Sequence, residues 1–427
     1  TYKMSEFVDK IIAQLLYNPD EPILFNTGFF LYFLLAFMGA YLLLHKRVRI
    51  RTIVFTLFSL YFFYKACGYY VGLVIIAAIV DFGLSNLIYK TAQQTQKKLL
   101  LTFSIVINLG LLFYFKYTDF FIGITNDLGF TSITPLSLLL PIGISFYTFE
   151  NISYTVDVYR GEFKPVRSFW NYLFFLSFFP KLVMGPIVRA ADFIPQINKP
   201  YLLTNTQLAK GAYLIAAGLI KKVVISDFIY TNMVQYVFDA PMRYTGLECL
   251  LAVYGYALVI YCDFSGYSDM AIGLGKWLGF DININFLSPY QSKSITEFWR
   301  RWHISLSSWL RDYLYIPLGG NKLGKLRQYI NLFITMLIGG LWHGANFTFV
   351  IWGALHGLAL AIDKLRITYF KNTFQIIPAK IRKYLGVIIT FNFVCFAWIF
   401  FKASSIDIAF EMIHQIINNF NLNLVPK

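Results

Sequence analysis

Charge is scarce in this chain: of its 427 residues only 14% are Asp, Glu, Lys or Arg, where ordinary soluble domains carry about a quarter. A surface facing water on all sides cannot be built from so few, so an ordinary soluble domain is excluded. Cysteine is nearly absent as well. Cys67, Cys249, Cys262 and Cys395 stand singly in or beside apolar segments, with no CxxC pair and no spacing that suits zinc, so packing is the reading for all four and no metal site is expected. There is no GxSxG elbow, no complete phosphate loop ending in GK[ST] and no HExxH pair. The glycine-rich GLGKWLG from Gly273 to Gly279 lacks dinucleotide spacing and is better explained by helix packing. No fixed-period repeat and no low-complexity linker interrupts the chain, so a single membrane domain is expected.

What the chain has in abundance is apolar surface: 57% hydrophobic residues, 19% aromatic, and a mean hydropathy of +0.57. Crossing a hydrocarbon core of about 30 Å takes roughly 20 helical residues. Ile23 to Leu44, Cys67 to Tyr89, Leu99 to Phe115 and Tyr384 to Phe401 are the clearest runs of that kind. Each helix satisfies its own backbone, and barrel strands would read as short alternating segments, so the fold class is all-α integral membrane. A formal charge of +15 would suggest nucleic acid in a soluble protein, but here the charges lie between apolar spans, and no nucleic-acid partner is expected. The runs His45 to Arg51 and Lys90 to Lys98 mark cytoplasmic turns by the positive-inside rule, which puts the N-terminus outside. Ser5 to Tyr17 is too short and too charged to span and reads as an interfacial amphipathic helix; no cleavable signal peptide is expected. The resulting division is an N-terminal extracytoplasmic or interfacial segment at 1–22, a membrane domain at 23–403 and a C-terminal amphipathic tail at 404–427, where His414 has no evident partner.

The middle of the chain is less regular. Pro141, Gly143, Asn151 and Asp157 interrupt one apolar stretch, and Pro180, Lys181, Gly185 and Pro186 another. Such backbone is tolerated at membrane depth only beside protein or a watery cavity, so both read as bent or re-entrant walls of a chamber. Lys221 and Lys222 suggest a further cytoplasmic exit. Leu247 to Phe280 is too long for one span and carries Asp263 and Asp269, each either functional or part of a satisfied structural network.

Three of the five histidines fall in two unusual segments. In Ser294 to Lys322, helical pitch places Trp299, His303, Leu306 and Leu310 on one stripe, beside a basic flank that includes Lys293, Arg300, Arg301 and Arg311. In Gly339 to Gly357, a break is expected near Gly339, Gly340 and Gly344, presenting His343 to a cavity. His356, 13 residues further on, would be turned away on an unbroken helix. A lone histidine on an apolar face is usually structural. Two in glycine- and tryptophan-rich membrane segments favour function, because a near-neutral imidazole is the usual base for activating a hydroxyl.

These segments, with Pro135 to Gly161, Phe178 to Arg189 and Cys262 to Gly273, resemble in order the signature of the membrane-bound O-acyltransferase superfamily, in particular its bacterial branch with the alginate O-acetyltransferase membrane subunit. The resemblance covers about residues 135–360. It implies a bundle of about eleven transmembrane and re-entrant helices around a central tunnel, in the inner (cytoplasmic) membrane. It also implies His343 and His303 as catalytic residues and Trp299 on the donor's entry path. Arg300, Arg301, Arg311 and Asn346 are the expected donor-binding residues, with Asp263, Asp269, Trp302 and Trp342 as supports of the tunnel. No permanently bound cofactor is expected. The donor would be acetyl-CoA or a carrier-protein thioester, the final acceptor a polysaccharide, and the partner an extracytoplasmic acetyltransferase protein. D-alanyl transfer to teichoic acid and a transporter or flippase without bond-making remain alternatives.

Overall fold

A hydrocarbon solvent offers backbone amides no partners, so a chain this apolar must close its hydrogen bonds within its own segments. The computed structural model describes residues 12–23, 25, 27–182, 184–199, 203–369 and 378–421, and among these there is no strand. Among the described residues, five helical stretches are long and apolar enough to cross a membrane: Val48–Lys90, Gln94–Asp127, Gly246–Leu278, Phe347–Tyr369 and Ala379–Lys402. Residues 1–11 and 422–427, which include most of the expected N-terminal interfacial helix and the end of the tail, lie outside the described residues. Contacts among the described residues group the chain into two compact units.

The first unit comprises residues 1–216 and 269–283. It contains α1 (Gly28–Leu44), α2 (Val48–Cys67), α3 (Val71–Lys90), α4 (Gln94–Asp127), α5 (Ile144–Arg160), α6 (Phe169–Ser177) and α7 (Ala190–Ile197). Helix α2 has no counterpart among the clearest apolar runs because arginines open it. Arg51 is buried within it, and its guanidinium donates to the Ile197 carbonyl at 2.7 Å and the Lys199 carbonyl at 3.2 Å.

Breaks occur where proline and glycine predict them, before α5 and after α6, and the nine residues of α6 are too short to cross a bilayer. Asn151 and Asp157, however, do not interrupt α5. The Asn151 amide donates to Asn108 at 3.2 Å and accepts from the Tyr172 hydroxyl at 2.6 Å, and Asn108 in turn donates to Asp81 at 2.6 Å. Glu150 likewise pairs with Lys181 and accepts from the Val188 N–H at 3.2 Å. Polar groups inside an apolar bundle are tolerated when partnered in this way.

The second unit comprises residues 217–268 and 284–427. Helix α8 (Asn205–Leu219) leads into it and continues through the π-helical turns Ile220–Asp227 and Tyr230–Val234 to Asp239. Lys222 sits within this run, half-buried, paired with Asp227 at 2.8 Å and Asp263 at 2.6 Å. Helix α9 (Gly246–Leu278) has 33 residues, of which 246–268 belong to this unit. Then follow α10 (Ile295–Arg301), α11 (Ile304–Leu310), α12 (Lys325–His343), α13 (Phe347–Tyr369), α14 (Ala379–Lys402) and α15 (Ile406–Asn418). The tail helix α15 turns Ala409, Met412 and Gln415 inward and leaves Phe410 and Ile417 exposed, which gives it an apolar outer edge as well as a packed face.

Candidate active site

The sequence pattern places Trp299 and His303 on one helical stripe, but the helix is broken between them. Helices α10 and α11 are seven residues each, and His303 at the joint has φ 44° and ψ 56°. For a non-glycine residue this left-handed backbone costs about 1–3 kcal/mol, so the surroundings must impose it. The segment before α10 does so. Asn285 accepts at its side-chain oxygen from the Ser305 N–H at 3.1 Å and the Ser305 hydroxyl at 2.9 Å, and its carbonyl accepts from the Ile304 N–H at 3.0 Å. The Leu287 N–H donates to the Arg301 carbonyl at 2.9 Å. These bonds replace the helical ladder across the joint.

The same Asn285 oxygen lies 3.2 Å from His303 Nδ1. An amide oxygen can only accept, so Nδ1 carries the proton and Nε2 holds the free lone pair. That Nε2 is buried, with no hydrogen-bond partner among the described residues.

The expected break in the second segment falls at Gly344, after which α13 starts at Phe347. Gly339 and Gly340 lie within α12 instead. Helices α12 and α13 approach closely: a Cβ on Gly340 would meet the Phe349 carbonyl oxygen at 2.3 Å, and one on Gly353 the Met336 carbonyl oxygen at 2.5 Å. Only glycine allows backbones this near, as at small-residue contacts between membrane helices. Asn346 caps the turn, accepting from the Thr348 N–H at 3.0 Å and donating to the Ser404 carbonyl at 2.9 Å.

His343, half-buried at the end of α12, packs with ring centroids 4.9 Å from Trp342, 5.1 Å from Trp352 and 5.0 Å from Phe401. His303 lies 6.3 Å from the Trp342 ring. Because the chain turns back at Gly344, His356 is not carried away from this group. It is fully buried, 4.9 Å from the Trp352 ring, and its Nδ1 accepts from the Trp299 indole N–H at 3.2 Å. The helix-pitch argument that separated His356 from His343 thus fails at the break. Two indoles, Trp342 and Trp352, link three imidazoles from three elements.

Beside this cluster lies a cavity of about 650 Å³ lined by Trp299, Arg300, Arg311, Lys364, Ser307 and Asn321 among others, with no acidic residue in its wall. Arg311 and Arg300 are exposed. The Asp312 carboxylate, 2.7 Å from Arg311, holds that guanidinium above its ordinary pKa. Arg301 does not reach the cavity wall; it pairs with Glu297 at 2.7 Å and donates to the Leu287 carbonyl at 3.2 Å. Burial pushes the Glu297 carboxyl up, but the Lys293 N–H and Arg301 outweigh it and hold the group below its usual range.

Trp302 is a packing residue, stacked on Phe298 at 5.5 Å and tilted against Trp398 at 5.1 Å. Asp263 lies in its ion pair with Lys222, and Asp269 belongs to the other unit. The sequence reading did not single out Asn285, Trp352 or Asp363. Asp363 accepts from the Thr296 hydroxyl at 2.6 Å and so ties α10 to α13; its seven-residue spacing from His356 is the one local signal that could have shown it.

The sequence model of the membrane-bound O-acyltransferase family matches residues 164–407, which contain all three imidazoles and the cavity. The chain is 41% identical over 397 residues to a probable alginate O-acetylase of Azotobacter vinelandii, covering 91% of this chain and 77% of that protein. It is 36% identical to a peptidoglycan O-acetyltransferase of Helicobacter pylori, covering 92% and 79%. A teichoic acid D-alanyltransferase of Bacillus subtilis is 29% identical over 63% of this chain and 70% of its own length. With a match over more than half its length and relatives alike along nine-tenths of it, this chain belongs to the membrane-bound O-acyltransferase family and is an acyltransferase of the membrane.

Proposed function

We propose that the enzyme transfers an acetyl group from a cytoplasmic thioester, acetyl-CoA, to an acceptor hydroxyl on the outer side of the inner membrane, for O-acetylation of a cell-surface polysaccharide. The observation that carries this reading is the gathering of His343 and His303 about Trp342 next to a cavity whose wall is basic and free of carboxylates. Phosphates of the donor would meet Arg300, Arg311 and Lys364, and its thioester arm would run along Trp299. At His343 the neutral imidazole takes the acceptor's hydroxyl proton. The oxygen attacks the thioester carbonyl, the C–S bond breaks, and the departing thiolate recovers the proton from the imidazolium as a free thiol. His303, with its lone pair on Nε2, accepts a hydrogen bond that orients one reactant. The protein supplies position more than new chemistry.

Acetyl transfer to a polysaccharide draws support from the names of the relatives matched over nine-tenths of the chain, an alginate O-acetylase and a peptidoglycan O-acetyltransferase. An extracytoplasmic partner protein that completes delivery to the glycan belongs to the same proposal. The D-alanyl alternative, with a carrier-protein thioester, rests on a shorter and weaker match. A transporter without bond-making does not fit family membership. The test is thiol release from acetyl-CoA by the purified protein, together with mass spectrometry of the surface glycan with and without the gene. Turnover that requires a carrier-protein thioester and ignores acetyl-CoA would favour the D-alanyl reading.

A further inference from the structure

His356 is the imidazole that the proposed transfer leaves without a task. It is 0% exposed, enclosed by the rings of Phe298, Trp299, Trp352 and Phe393, and its Nδ1 accepts the Trp299 indole proton at 3.2 Å. A neutral imidazole carries one N–H, so an accepting Nδ1 fixes the tautomer with the proton on Nε2. Trp299 in turn belongs both to this aromatic cluster and to the wall of the basic cavity.

Helix α10, which carries Trp299, is only seven residues long and cannot fix a large side chain by its own stability. It is tied to α13 at two points one turn apart. Thr296 donates its hydroxyl to Asp363 at 2.6 Å and its N–H at 3.2 Å, and Trp299 donates to His356. Asp363 and His356 are seven residues apart and therefore on one face of α13. The longer helix thus sets both the height and the rotation of the shorter one.

We infer that His356 is a positioning residue: it is the acceptor that fixes the Trp299 indole and thereby the cavity wall along which the donor thioester lies. This rests on the reading above that the cavity receives the donor. His356 touches no reacting atom; it acts through Trp299. A histidine that merely fills space among aromatic rings would be replaced without loss by phenylalanine. An acceptor is replaced by asparagine, whose side-chain oxygen stands close to where Nδ1 stood.

The test is steady-state donor turnover by the purified, detergent-solubilised enzyme with His356→Phe, His356→Asn, Trp299→Phe and the double variant His356→Phe/Trp299→Phe. The donor KM is expected to rise roughly three- to tenfold in His356→Phe, with kcat within about twofold, as for loss of one hydrogen bond that serves binding. His356→Asn should return KM to near the wild-type value. Trp299→Phe, which removes the N–H and also part of the wall along which the donor lies, should raise KM at least as much as His356→Phe, and the double variant should be no worse than Trp299→Phe alone, since the hydrogen bond is already lost in it. If His356→Phe fails to fold, His356→Leu, which also removes the acceptor, takes its place: a raised KM there with a near-normal KM in His356→Asn supports the inference. An unmoved KM in Trp299→Phe or His356→Phe, or effects that multiply in the double variant, would overturn it while leaving the proposed function in place. A wild-type enzyme that turns over no thioester would bring down the functional reading and this inference with it.

Discussion

Asn285 organises the joint between α10 and α11 through a single side-chain oxygen. That atom accepts from Ser305 twice and lies against His303 Nδ1, so Asn285→Ala leaves several buried groups without partners at about 1–3 kcal/mol each. We expect a lowered Tm in detergent and a loss of transfer activity, with Asn285→Asp retaining more of both because the acceptor survives. Thermal-shift and turnover assays on the same preparation read the two effects, and equal behaviour of the Ala and Asp variants would speak against the acceptor role. His343→Ala should lower kcat by roughly 10²–10⁴, the usual contribution of a general base. Full turnover by a normally folded His343→Ala enzyme would remove it from the chemistry. Arg300→Ala and Arg311→Ala should each raise the donor KM, whereas Arg301→Ala should have less effect because its guanidinium does not line the cavity; the three KM values compare the roles directly.

Among the elements, the α12–α13 hairpin carries the most consequence for the site. Its tightness depends on glycine: Gly353→Ala places a methyl group 2.5 Å from the Met336 carbonyl oxygen, and the helices must separate, at a cost of about 1–3 kcal/mol. A fall in Tm is expected there, and little or none for Gly72→Ala, where nothing lies within 4 Å of the added carbon. Equal shifts at both positions would mean that the close approach is not what holds the hairpin. The turn at Gly344 was legible in advance, because an apolar stretch longer than one crossing with glycines near its middle has to bend. The turn at His303 was not. Helical periodicity runs smoothly through Trp299, His303 and Leu306, and nothing local indicates that residues 285–287 will replace the ladder there. In α5 the error ran the other way: Asn151 reads as an interruption, yet partners on two other helices satisfy its amide and the helix continues.

For the molecule as a whole, the orientation expected from the positive-inside rule can be tested on the helices of the first unit. The basic turns between α1 and α2 and between α3 and α4 are separated by two helices of 20 residues each; if each crosses once, both turns share one face, which the positive-inside rule predicts to be cytoplasmic. Single cysteines introduced at Lys46 and Lys98, both exposed, should react with an impermeant thiol reagent only from the cytoplasmic side. The four natural cysteines are buried and should contribute little background. Labelling of the two probes from opposite faces would refute this orientation.

Composition alone fixed the solvent of this protein and hence its helical class, since a chain with so little charge and so much apolar length can satisfy its backbone in lipid only as helices. The order of its motifs was enough to point to acyl transfer, and the residues His303, His343 and Trp299 were readable within them. Only the tertiary structure could decide which of these side chains share a site. Such neighbourhoods are made by segments distant in sequence: Asn285 bending the chain at His303, and α13 folding back on α12 to bring His356 to Trp299 and beside Trp352. Local periodicity describes one helix at a time, and a break supported from outside that helix leaves no trace in it.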